Sequence, residues 1–122
     1  MASSSKTVKF QGTFSVHDAA NVASPNKPIK DLNLSVAQVQ TSDPMCITAT
    51  TTDFVVPFGA ITSAKRIYIK TDQEVTLKIH SITETGFPWS GEGVLSSASG
   101  IVGLWITTGP NATNVEIVVA GD

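Results

Sequence analysis

Cysteine is nearly missing from this chain of 122 residues: Cys46 stands alone. A single thiol excludes an internal disulfide framework and a Cys-based zinc site, and it points to assembly in a reducing compartment. Charge is sparse as well. Eight Lys and Arg against ten Asp and Glu give a net charge of −2 and a pI near 5.5, which argues against a polyphosphate partner, nucleic acid included. No apolar stretch approaches the ~20 residues of a membrane helix, and the N-terminal Met-Ala-Ser-Ser-Ser-Lys lacks the apolar core of an export signal. Helix-favouring leucine is scarce, with five in all.

What the chain has is β-branched residues. Thr, Val and Ile total 38, and 41% of the residues are hydrophobic with mean hydropathy +0.14, enough to build one packed core. Branched side chains fit a pleated surface better than a helix, so the composition predicts one all-β domain. Residues 1–6 read as a flexible N-terminal arm and 7–122 as a single β-sandwich or jelly-roll-like domain of about eight strands.

Periodicity places the strands. Val8, Phe10, Phe14 and Val16 share one parity and predict a strand over 7–16. Residues 17–31, with two prolines and no sustained period, read as a loop with one helical turn at Ala19 to Ala23. Leu32, Leu34 and Val36 alternate, Ser42-Asp43-Pro44 reads as a turn, and Met45 to Thr52 as the next strand. Phe54 to Phe58 fits an edge because of Pro57. Ile67 and Ile69, then Val75, Leu77 and Ile79, alternate with polar residues on either side of Thr71-Asp72-Gln73, which predicts a hairpin. Residues 83–93 read as a Gly-rich loop carrying Phe87 and Trp89. Two late apolar strands, over 100–107 and 115–120, flank a turn cluster from Thr108 to Thr113.

Catalytic and metal signals do not assemble. Cys46, between Met45 and Ile47, reads as a buried inert thiol, and no G-x-S-x-G elbow accompanies any of the thirteen serines. His17 and His80 have no metal-ligand spacing and read as surface histidines. Glu74 and Glu116 take the polar parity of their strands, Glu84 and Glu92 lie in the predicted loop, and Gly91-Glu92-Gly93 lacks the ending of a phosphate loop. Lys65, Arg66, Lys70 and Lys78 read as a mixed solvated face beside Asp72 and Glu74. The expectation is a protein that is not an enzyme and carries no cofactor or metal. Phe87 and Trp89 invite a binding role, since such aromatics stack on sugars or enter a partner's pocket; the competing reading is that they plug one end of the sandwich.

The C-terminal half resembles small virion proteins of tailed bacteriophages, the likeness being carried by Ile67 to Ile79 and Leu104 to Gly121. In those proteins a Thr-Asp-Gln segment leads into a "vtl.i" strand, and a late apolar strand and turn lead to a terminal "v.v.vaG" strand. The resemblance implies a structural protein of the phage particle, most closely a head decoration (cement) protein. Such a protein is β-rich and often a homotrimer. It assembles in the host cytoplasm and binds the outer capsid surface against the major capsid protein. On that reading the segment from Ser3 to Phe14, with Val8, Phe10 and Phe14, faces the capsid, and Phe87 and Trp89 form a second contact. The alternatives are a carbohydrate-binding, lectin-like module with Trp89, Phe87 and Tyr68 as stacking residues, or another virion part such as a tail or head-fibre component.

Overall fold

A computed structural model describes residues 6–9, 11–17, 23–29 and 34–122, and throughout them the chain forms strands and turns without a helix. Ten strands follow one another: β1 (Lys6–Val8), β2 (Gly12–His17), β3 (Ala23–Ile29), β4 (Leu34–Val36), β5 (Gln38–Ile47), β6 (Phe54–Val55), β7 (Ala64–Ile79), β8 (Phe87–Ile101), β9 (Leu104–Thr108) and β10 (Thr113–Gly121). The last six make one antiparallel sheet in the order β5-β10-β7-β9-β6, with β8 on the remaining edge of β7. The sheet curls around a single core, which makes this an all-β, sandwich-like domain.

β7 is the spine. It is one strand of 16 residues, where alternation on both sides of Thr71-Asp72-Gln73 predicted a hairpin. The physical reason lies in parity. Ile67, Ile69, Thr71, Val75 and Leu77 are all odd-numbered and all buried, so an uninterrupted strand keeps both apolar sets on one face. The polar residues between them are taken up as a bulge: Thr71 to Val75 on β7 faces only Gly91 to Trp89 on β8. Along the other edge, β10 pairs with Ala64 to Thr71 and β9 with Val75 to Ile79. The turn cluster after Thr108 therefore joins two strands that lie end to end beside β7, not a hairpin. Asp72 fixes the junction, its two carboxylate oxygens accepting the Asn114 backbone N–H and side-chain N–H, each at 2.8 Å.

Two further turn signals resolve into sheet. Ser42-Asp43-Pro44 is a bulge within β5, three steps of β5 answering two of β10 between Ile117 and Val115. Pro44 is tolerated because, among the described strands, β5 pairs with β10 alone, so the missing N–H costs no ladder bond. The predicted loop over 83–93 ends at Phe87, where β8 begins. Glycine permits this: Gly91 has φ +84°, and a Cβ on Gly93 would lie 2.9 Å from the Trp89 ring, so only glycine lets that ring lie flat on the strand.

The N-terminal third also differs from expectation. The predicted first strand is split into β1, paired with β4, and β2, paired with β3. Residues 23–29, read as loop for their prolines, form β3, with Pro28 opposite Thr13; in a two-stranded sheet each strand has an outer edge on which proline leaves nothing unpaired. Lys6, assigned to the arm, opens β1, while residues 1–5 and the predicted helical turn before Ala23 lie outside the described residues.

The core draws on both halves of β7. Ile67, Ile69 and Leu77 meet Ile106 of β9 and Ile117 and Val119 of β10, all fully buried. Each such side chain contributes about 1.5–3 kcal/mol by leaving water. Burying these residues inward turns the even-numbered ones of β7 outward, and that outer face holds the candidate site.

Candidate functional site

A groove of about 450 Å3 lies on the outer face of the β5-β10-β7-β8 half of the sheet. Sheet register builds its floor. Ala120 of β10 lies between Val39 of β5 and Arg66 of β7; one row on, Val118 lies beside Tyr68, which faces Val94 of β8. Val8 at the end of β1, together with Lys9 and Gln11, forms the wall. Arg66 anchors it by donating from Nη1 to the Val8 carbonyl at 3.1 Å. The row beyond Tyr68 alternates in charge, with Lys70 between Glu116 and Glu92.

At the groove's polar end the Tyr68 hydroxyl donates to Glu92 Oε2. This bond, followed by burial and the negative charges of Glu92 and Glu116, pushes the Tyr68 phenol up to about 12. A raised folded-state value favours the neutral phenol. Its contribution to stability is therefore complete below the unfolded value of about 10 and is lost as pH rises through about 12. Tyr68 is the only tyrosine, so phenolate absorbance reports it alone. Glu92→Gln is expected to move the native titration down toward the value of the denatured chain; a midpoint that stays near 12 would refute the contact with Glu92 as its cause.

The structure separates the sequence-predicted binding residues. Phe87 pairs with Leu77 and Trp89 with Val75, so both rings point to the buried face, where they pack half-buried against the core. They stand on a strand, not in a loop, and Tyr68 is on the opposite face. The three rings do not form one stacking platform. Val8 is half-buried in the groove wall, Phe14 is on β2 opposite Lys27, and Phe10 lies outside the described residues.

Other candidates find ordinary places. Cys46 is exposed on β5, not buried as its neighbours suggested, because Ile47 takes the inward position. His80 is exposed at the end of β7, where its φ of 70° breaks the strand, and His17 closes β2. Lys78 pairs with Asp53 at 3.0 Å, and Lys65 Nζ donates to the Ala98 carbonyl at 3.0 Å. Among the described residues no three His, Cys, Asp or Glu come together as metal ligands. Periodicity puts Arg66 and Tyr68 on one face of β7 but carries no direct sign of the groove, because Glu92 joins them only where β8 lies beside β7.

Comparison with protein-family models, with curated proteins and with solved structures yields no match.

Proposed function

We propose that the chain is a structural protein of a bacteriophage particle, and within that class a head decoration protein that sits as a homotrimer on the outer capsid surface against the major capsid protein. The observation that supports an assembly role is the outer edge of β8. Among the described strands β8 pairs with β7 alone, and its 15 residues include one ionisable side chain, Glu92, and one proline, Pro88. Soluble monomers blunt such edges with lysines, prolines or short strands. Here the edge suits addition of a neighbour's strand.

Strand direction selects the neighbour. In the order β5-β10-β7-β8 every adjacent pair is antiparallel, so β5 and β8 run in opposite directions. β5 of a second copy placed beside β8 would continue the antiparallel pattern, head to tail, and three copies related by a threefold axis would close the ring. Capsid contact then falls to the N-terminal segment carrying Val8, Phe10 and Phe14. Phe87 and Trp89 support the fold behind the edge.

Light scattering on the purified chain is expected to give a concentration-independent mass of three times 12.8 kDa. Lysines at Ser90 and Ser96, both exposed on β8, are expected to yield a folded monomer. Added to undecorated heads of the phage that encodes it, the wild-type chain should co-sediment and raise the temperature of DNA release. A monomer at all concentrations would overturn the trimer, and failure to bind the heads would overturn the decoration role.

A further inference from the structure

We propose that the groove on the outer face of the sheet binds one sugar residue of an uncharged glycan, an activity separate from assembly through β8. About 450 Å3 lies in the range of small-molecule sites, far above the space needed for a trapped water. The floor is apolar at its centre, where Val94 and Val118 flank the Tyr68 ring, and polar at both ends. Glu92 supplies acceptor oxygens at one end. Lys9 and Gln11 in the wall supply donors, and the Gln11 amide also accepts.

This pattern discriminates among occupants. A peptide strand gains nothing here, because the backbone N–H and C=O groups of the floor are spent in the β5-β10-β7-β8 ladders. A phosphate or sulfate would meet Glu92 opposite Lys9, and Arg66, the other cation of the lining, already donates to the Val8 carbonyl, so the groove sets no surplus of positive charge against an anion. A lipid tail would leave Glu92 and Lys9 desolvated with no polar group to answer them. A hexose ring answers every feature: its C–H face covers the Tyr68 ring and the two valines, and its hydroxyls both donate to Glu92 and accept from Lys9 and Gln11.

Arg66 acts as a positioning residue. By holding the Val8 carbonyl it keeps the wall at a fixed height above the floor. The Tyr68 hydroxyl, by donating to Glu92, orients that carboxylate before the sugar arrives, so less freedom is lost on binding.

The test is titration of the full chain with methyl glucoside, methyl galactoside, methyl mannoside and N-acetylglucosamine, followed by amide chemical shifts. At least one sugar is expected to produce saturable shifts centred on Val94 and Val118, with a dissociation constant on the order of 1 mM. Glu92→Gln and Tyr68→Ala, each with an otherwise native spectrum, should weaken binding at least ~tenfold. Saturable groove shifts in a chain that light scattering finds monomeric would uphold this site while overturning the trimer, which separates the two proposals. Absence of saturable shifts with all four sugars, shifts centred away from the groove, a Glu92→Gln variant that binds unchanged, or tighter binding of glucuronate than of glucoside would each overturn the assignment.

Discussion

Ile69→Ala is expected to destabilise the domain by about 2–5 kcal/mol, the range for truncating a fully buried branched side chain that leaves a cavity. The upper part of the range follows from what surrounds it. Ile69 faces Ile117 on β10 and Gly93 on β8. Gly93 has no side chain to move into the space, and the Trp89 ring already lies against that glycine. The ladders on both sides of β7 hold the backbone apart, so the void cannot collapse. Urea denaturation should show a lower midpoint with an unchanged slope, since the same surface is exposed on unfolding. Lys70→Ala, one residue on and exposed, should stay within about 0.5 kcal/mol of wild type. A loss below ~1 kcal/mol for Ile69→Ala would contradict the central place of β7.

That the fold is all-β was legible because β-branched residues at alternate positions have few other uses. Which strands run on and which turn back was less so, and the reason is specific. Thr71-Asp72-Gln73 and Ser42-Asp43-Pro44 both have turn chemistry, yet each is a bulge within a longer strand. Turn-forming residues and bulge-forming residues are the same types, because both interrupt the regular ladder. The unchanged parity from Ile67 to Leu77 was the signal that distinguishes them. Phe87 and Trp89 carried a similar signal, being separated by one residue as two inward-facing positions of a strand are. The groove had none, since it depends on strand order, and one chain's periodicity carries no record of which strand lies next to which. Even so, the sequence placed Tyr68 and Arg66 correctly on the outward parity of β7, and only the neighbour that completes the site was missing.

Gly121→Ala is expected to cost about 3 kcal/mol, although it adds a single methyl group at the end of the last strand. A Cβ at this position would lie 2.1 Å from the Ser63 carbonyl oxygen and 2.8 Å from the Ala64 Cα. Both are backbone atoms, so no rotamer change relieves the clash and β10 itself must move. Gly100 makes a useful contrast: its Cβ would meet the Ser63 hydroxyl at 1.8 Å, a side-chain atom that Ser63→Ala removes, whereas no substitution at Ser63 removes the carbonyl opposing Gly121. The displacement matters because Asp122 fastens three segments together. Its N–H donates to the Ser63 carbonyl at 3.0 Å, its own carbonyl accepts from the Thr62 and Ser63 N–H groups at 3.0 and 3.2 Å, and its Oδ1 accepts from the Ala37 N–H at 3.0 Å. Pushing β10 off Ser63 strains all four bonds, and each one lost costs about 1 kcal/mol. Hydrogen exchange should therefore accelerate at Ser63 and Ala37 before it does at Ile69, and it should do so equally in the Gly121→Ala, Ser63→Ala double variant. Protection at Ala37 that survives the substitution would show that β10 does not hold the start of β5 in place.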